Sequence, residues 1–541
     1  MIVIRDANGA IERKIAVTRG SSRLLSDVLA ENGYPLNTRC GKRGWCRGCT
    51  VELAEGRPGV GERKAEIKSC GTTVQSDTEL VIRVPAHARL EAEPQVGDTF
   101  AVNTPVALQP LWNAEPGVAD TAFAVDIGTT TVAVAVLDLV SGSVLSRAGD
   151  FNAQIRYGDN VITRIVAAGS ASKRREMQRA IVNETIAPLL AQACGEAGRS
   201  LERVVGGTVA GNTTMLHILC GEDPTSLGSV PFTPRFLEHR TLTAKQLGLE
   251  VQLDRSRLGE ATPVVVLPGF SAYVGADLAA GVYANGMMCD ATPSLLVDIG
   301  TNGEIVLQAN GKLWGCATAA GPAFEGAGLL AGTRAQSGAI SHVMIFADRE
   351  ARLEFETIAG TAPENAPGLC GTAYIDFLAA GRNAGILTSA GRFEKARTEN
   401  LFASRFVQNE RGRCLNLVGR ICISEADIAA LLQAKAAIGA GIETLLKSAG
   451  LVPSDVGTLY LAGGFGMFID VAHAIAIGLL PGFSREQVKV VGNTSLAGAV
   501  LSALDQRALS DMEGWRNIVQ IVELNTCEGF ENCYLDHLAL P

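Results

Sequence analysis

Four cysteines near the N-terminus have the types and spacing to hold a metal. Cys40, Cys46 and Cys49 lie in CGKRGWCRGC, a C-x5-C-x2-C run, and Cys70 follows in IKSC. Gly41, Gly44 and Gly48 stand between them. Glycine lets a loop bend so that thiolates converge on iron while amides turn toward sulfide. Zinc is the competing ion, but zinc ribbons commonly pair two C-x2-C units, and here the fourth cysteine stands apart. Cys70 follows Cys49 after an interval of 20 residues and is the other cysteine of the first 190. Arg39, Lys42, Arg43 and Arg47 surround the loop. They either raise the potential of a bound centre and steer a partner, or they are ordinary solvated charge.

A second chemistry is written twice. FAVDIGTTTVAVAVLDL (123–139) and LLVDIGTNGEIVLQ (295–308) each run from an apolar strand through Asp-Ile-Gly-Thr into another apolar strand. A short acid at a strand end holds a water on Mg2+. Glycine lets backbone amides reach phosphate oxygens, and threonine hydroxyls add hydrogen bonds. Asp126, Gly128, Thr129 and Thr130 form the first set; Asp298, Gly300, Thr301 and Gly303 form the second. Neither hairpin contains GxxxxGK[ST], so this is not a Walker A loop. In YLAGGFGMFID (460–470), Gly463 and Gly464 end an apolar strand and leave bare backbone for a base or ribose. The three elements sit at intervals of 172 and 165 residues (126 to 298, 298 to 463). Asn212 and Thr213 in GNTTM form a candidate switch loop near a γ-phosphate. Glu325 in GPAFEGAG is a candidate for ribose, base or metal contact, at a turn expected to open a helix. Asp277 is a candidate for orienting an attacking water, although such residues more often cap helices or face solvent.

These residues need elements to position them. The 541 residues, 47% of them hydrophobic, are too many for one ordinary core. Residues 1–85 read as short strands and turns around one helix, in SSRLLSDVLAENG. Residues 86–120 hold Pro94, Pro105, Pro110 and Pro116 and read as a linker. From 121, buried-looking strands alternate with helices, the α/β texture. The repeated hairpin predicts two lobes, 121–290 and 291–541. Net charge is −9, which argues against nucleic acid. The head is basic, with 14 Lys/Arg and 10 Asp/Glu in 1–85; an acidic docking partner and a plain solvated face are equally good readings. No run of about 18 uncharged apolar residues occurs, so no membrane span is expected. MIVIRDANGAIERK is no signal peptide. The cytoplasm is the expected compartment, where 13 cysteines serve as ligands and packing residues rather than disulfides.

The head resembles the [2Fe–2S] ferredoxins. Plant-type loops run C-x4-C-x2-C…C, and the extra residue here is similar to the adrenodoxin variant. This implies an α+β, β-grasp domain. The remainder resembles the actin, sugar-kinase and chaperone ATPase superfamily, ordered as phosphate loop, connecting helix, phosphate loop, adenosine loop and second connecting helix. AYVGADLAAGVYANG (272–286) and NTSLAGAVLSAL (493–504) fit the two connecting helices. That likeness implies a two-lobed α/β fold, a duplicated RNase H-like unit, that binds ATP and Mg2+. The two modules together, with DIGTTT, DIGTNGE, GPAFEG and LAGGFG, are similar to the reductive activators of corrinoid proteins over nearly the whole chain. This resemblance implies ATP-dependent return of an electron to cobalt, Co(II) to Co(I), in the corrinoid protein of a methyltransferase system. It also implies an external electron donor and a possible homodimer. Some relatives carry C-terminal [4Fe–4S] motifs. Here Cys527 and Cys533 stand alone in NTCEGFENCYLDHLALP, so no second cluster is expected. The competing functions are an activator of a radical dehydratase or reductase, a small-molecule kinase, and a nucleotide-binding redox-sensing adaptor.

Overall fold

Each repeated hairpin opens with an almost unbroken apolar run, the pattern of a strand covered on both faces. The computed structural model builds these runs as strands Thr121–Ile127 and Ser294–Ile299. In each strand every residue is buried except one, and that one is the aspartate, Asp126 or Asp298. The structure describes residues 1–5, 11–17, 22–32, 34, 36, 49–53, 66–75, 80–84, 88, 99–100, 108–158, 160–300, 302–347, 351–395, 402–409, 411–464 and 466–541. Contacts group the chain into two units: Met1–Gln95 with Pro322–Leu431, and Val96–Gly321 with Leu432–Pro541.

The second unit contains the duplication. One six-stranded sheet is ordered Val144–Phe151, Thr131–Asp138, Thr121–Ile127, Val204–Gly211, Pro263–Val266, Arg240–Thr243. The other is ordered Val488–Gly492, Thr458–Ala462, Ser294–Ile299, Gly303–Ala309, Lys312–Thr318, Val519–Ile521. With the edge strands Arg240–Thr243 and Val519–Ile521 left out and the rest numbered within its own half, each sheet has the order 3-2-1-4-5. The first three strands are antiparallel, and the fourth and fifth run parallel to the first. This is the duplicated, actin-like ATPase fold that the two hairpins predict.

Both connecting helices form, as Ala276–Asn285 and Thr494–Leu504. The first starts later than the Ala-rich run suggests. The preceding residues are held in a turn, where the Ser271 hydroxyl accepts from Val274 N and the Ser271 carbonyl accepts from Thr213 Oγ1. The helices cross at backbone contact distance. A Cβ on Gly498 would lie 2.2 Å from the Ala280 carbonyl oxygen, so only glycine permits this approach.

The described part of 86–120 in this unit is bonded to the second helix and the strand before it. Phe100 bridges Gly492, Asn493 N donates to Thr99 O, and Gln109 and Leu111 donate to the carbonyls of Leu504 and Ala503. One helix, Glu425–Ser448, is long and apolar enough to cross a membrane by length and composition, and 78% of its apolar window is buried within the protein. Burial on that scale is what a core helix shows.

In the first unit, the order Ile11–Ile15, Ile2–Arg5, Leu80–Arg83, Thr50–Leu53, Glu66–Lys68 makes a mixed sheet. Its central pair, Ile2–Arg5 with Leu80–Arg83, is parallel. Ile2, Ile4 and Ile82 alternate inward and meet Leu25, Val28 and Leu29 of helix Leu25–Glu31. A helix on a mixed sheet of this kind is the β-grasp arrangement. The helix begins at Leu25 because Arg23–Leu24 pairs as a strand with Thr73–Val74. The Pro322–Leu431 part has a hairpin, Ile340–Ala347 with Ala351–Thr357, a three-stranded sheet from Phe406 to Ser424, and the buried helix Gly371–Asn383.

Candidate functional site

The two sheets of the second unit present four carboxylates to one another. Asp126 and Asp298 come from the first strands of the two halves. Asp277 is the second residue of helix Ala276–Asn285. Glu304 stands directly opposite Asp298 in the antiparallel hairpin, so both side chains lie on one face. Each of the four keeps an edge on solvent, yet the protein around them is dense enough for desolvation to dominate. Asp298 is pushed up to about 7, by burial first and by Asp126 second. Asp277 is pushed up to about 7 by burial, then by Asp298 and Asp126. Glu304 is held well above the usual carboxylate range by burial, Asp277 and Asp298. Asp126 is raised by burial, against hydrogen bonds from Ser495 and Asn493. Such a set either keeps protons at neutral pH or gathers a cation that removes the repulsion.

The donor chemistry suits Mg2+, a hard ion that takes oxygen ligands and keeps several waters. Among the described residues, the acids of this cleft do not bring three ligand atoms within 4.8 Å of one another. They fit a hydrated ion contacted through its waters.

Loop one is braced from beneath. Asn152 Nδ2 donates to Gly128 O at 2.9 Å, and the fully buried Arg164 donates through Nη2 to Thr129 O. Thr130 O accepts from Asn152 N. A Cβ on Gly128 would lie 2.7 Å from Thr131 O. Asp126 is gripped from the connecting helix: Asn493 Nδ2 donates to Oδ2 at 2.8 Å and Ser495 Oγ to Oδ1 at 2.6 Å. Asn212 caps helix Thr213–Leu219 through its Oδ1 and donates from Nδ2 to Thr129 Oγ1 at 3.1 Å. Thr213 donates to Ser271 O. The structure thus brings Asn212 to loop one and uses both Asn212 and Thr213 in holding the fold. Gly275, with its backbone against Asn212 and Thr213, brings Asp277 to the same place.

In the second hairpin, Gly300 N donates to Asn302 O at 2.9 Å, closing the turn. Gly303 packs on Ile438 and Thr318 with no room for a Cβ. Thr301 lies outside the described residues. Gly463 has a φ of +93°, and a Cβ there would lie 2.7 Å from Asp298 Oδ1. The strand-end glycine and the second aspartate are therefore neighbours. Gly464 follows, exposed.

Glu325 belongs to the other unit, where it ends the short turn Pro322–Glu325. The expected helix does not follow. Gly326 and Gly328 adopt φ of +74° and +77°, which interrupts helical geometry. In the same unit, Cys49 and Cys70 are buried at one end of the hairpin formed by Thr50–Leu53 and Glu66–Lys68, and Ser69 N donates to Cys49 O at 3.1 Å. The register, with Thr50 opposite Lys68, sets Cys49 beside Ser69 and one residue short of Cys70. Cys40 and Cys46 lie outside the described residues.

Glu304 and Arg164 were not singled out from the sequence. Glu304 had a signal, since folding DIGTNGE about its turn sets it opposite Asp298. Arg164, in VITRIV, had none.

Two family models match the chain. One, described as the RACo middle region, covers 121–290, and one, described as the C-terminal domain of RACo, the ASKHA domain, covers 292–541. The chain is 29% identical to the corrinoid activation enzyme RamQ of Eubacterium limosum, over 97% of each protein. It is 28% identical, over 51% of each, to the [Co(II) methylated amine-specific corrinoid protein] reductase of Methanosarcina barkeri. Among solved structures, a reductive activator for a corrinoid, iron-sulfur protein superposes with a TM-score of 0.71 at 27% identity, covering 100% of this chain and 98% of that one.

Proposed function

This chain belongs to the reductive activators of corrinoid proteins, and on that premise we propose that it uses ATP hydrolysis to pass single electrons to the cobalt of a methyltransferase system's corrinoid protein. One electron enters from an external donor, passes through the N-terminal module, and reduces Co(II) to Co(I). The observation that carries the ATP half of this reading is the convergence of Asp126, Asp277, Asp298 and Glu304 in one cleft.

In that cleft Asp298 and Glu304 would hold a hydrated Mg2+, and Asp277 would orient a water toward the γ-phosphate. When bound, Mg2+ supplies the positive charge that offsets phosphate and carboxylate repulsion. Gly128, Thr129 and Thr130 offer amides and hydroxyls to one side of the triphosphate; Gly300, Thr301 and Gly303 offer them to the other. Gly463 and Gly464 give bare backbone to the adenosine. Asn212 holds loop one in place through Thr129, and Thr213 ties the adjoining turn to Ser271. Lobe movement about the Gly498–Ala280 crossing couples nucleotide state to the docked partner.

Cys40, Cys46, Cys49 and Cys70 hold a [2Fe–2S] cluster. Such a cluster supplies a one-electron carrier, near −400 mV in plant-type ferredoxins. The cysteines described all carry free thiols, which suits a cytoplasmic protein.

The test is ATP-dependent formation of Co(I) in a purified corrinoid protein, followed by absorbance under anaerobic conditions. Cys46→Ser should abolish the cluster spectrum and the activation while nucleotide binding survives. Asp298→Ala should leave the spectrum and abolish the activation. A protein without affinity for adenine nucleotides, or colourless after iron and sulfide reconstitution, would overturn the reading.

A further inference from the structure

The C-terminal helix Phe530–His537 is docked on one face of the long helix Glu425–Ser448. Three positions one turn apart on that face, Lys435, Gly439 and Glu443, make the contact. Lys435 Nζ donates to Ala539 O at 2.6 Å. Gly439 lies under the His537 ring; a Cβ there would be 3.0 Å from Nδ1. Glu443 Oε2 lies 3.0 Å from His537 Nε2. Cys533, one turn before His537 on the same helix face, turns its thiol to the same spot. The ligand atoms of Glu443, Cys533 and His537 all lie within 4.8 Å of one another, the sole trio of Cys, His, Asp or Glu to do so among the described residues.

From this geometry we infer a divalent metal site at Glu443, Cys533 and His537, with zinc as the ion. A thiolate, an imidazole and a carboxylate form the mixed donor set that zinc takes in tetrahedral coordination. The i,i+4 pair supplies two ligands from one rigid helix, and the facing helix supplies the third. His537 is 13% exposed and Glu443 59%, so the trio is sheltered on the protein side and open to solvent on the other. A water completes the fourth position. Loading replaces the Cys533 thiol proton, which leaves to solvent, and the ion then clamps the last helix to the long one. None of its three residues is a cysteine of the head or an acid of the cleft.

The test uses the full chain after anaerobic reconstitution with iron and sulfide, so that the N-terminal cysteines are filled. The protein is equilibrated with a zinc buffer, desalted, and its metals are counted. We expect about one zinc per chain beyond the cluster iron. The zinc absorption edge should show one sulfur at about 2.3 Å and otherwise nitrogen and oxygen. Cys533→Ser and His537→Ala should each weaken zinc binding at least about tenfold with iron content unchanged. Trypsin should release the C-terminal helix faster after chelation in the wild type, with no such change in the variants. Zinc-free wild-type protein at equilibrium, a four-sulfur zinc environment, or equal zinc in wild type and variants would overturn the assignment.

Discussion

The two hairpins share strand order, direction and the Asp-Ile-Gly-Thr turn, yet they treat their aspartates differently. Asp126 faces Ala133 across its hairpin and spends both oxygens on hydrogen bonds from Asn493 and Ser495. Asp298 faces Glu304, and its charge pushes up the carboxyls of both Asp277 and Glu304. The first hairpin is tied to a helix; the second is loaded with charge. The residue facing the aspartate, alanine in one hairpin and glutamate in the other, sets the two apart in charge.

If that division is right, charge removal in the second hairpin should hurt most. Asp298→Asn should lower ATP-dependent activation by on the order of 100-fold, and Asp126→Asn by less. Steady-state activation at saturating ATP measures both, and equal losses would erase the distinction. Glu304→Gln should cost about tenfold, seen as a higher Mg2+ requirement with the cluster spectrum unchanged. An unaltered Mg2+ requirement would remove Glu304 from the cation site.

Next in size is a few-fold effect from Ser495→Ala. It removes one hydrogen bond to a charged group, about 1.5–3 kcal/mol in the bond itself, and should appear in activation rather than in nucleotide affinity. Weakened affinity with normal activation would place Asp126 among the phosphate contacts instead. The smallest effect is on stability. The folded values of Asp277 and Asp298, about 7, lie above the ordinary 3.8. Between those values the metal-free fold binds more protons than the unfolded chain, so its stability falls as pH rises. Mg2+ with nucleotide should therefore raise Tm by a few °C more at pH 8 than at pH 6. A pH-independent shift would mean that these acids do not meet the ion.

Much of this was legible in the residues, because buried strands write long apolar runs and an acid interrupting such a run has few structural uses. Asp126 and Asp298 stood out for that reason; Asp277 lay inside the expected helical run 272–286 and in the structure stands at the helix start. The crossing of the connecting helices was legible in their Ala and Gly content. What escaped depended on pairing across space. Glu304 is set by hairpin register, and its counterpart in the first copy is an alanine, so comparing the repeats hid it. Arg164 sits in a stretch with the polarity of a surface helix but is fully buried, because its guanidinium is taken up by Thr129 O, Gly158 O and Gln154 Oε1. The helix expected after GPAFEG failed on backbone dihedrals, which glycine can take in either sense.

Asn493 has three tasks at once. Its amide nitrogen holds Asp126, its side-chain oxygen receives Leu496 N at the start of the helix, and its backbone N–H holds Thr99, at the root of the segment that arrives from the N-terminal module. A displacement of Asp126 therefore reaches the start of the helix and the Thr99 backbone together, because one side chain and its own amide hold all three.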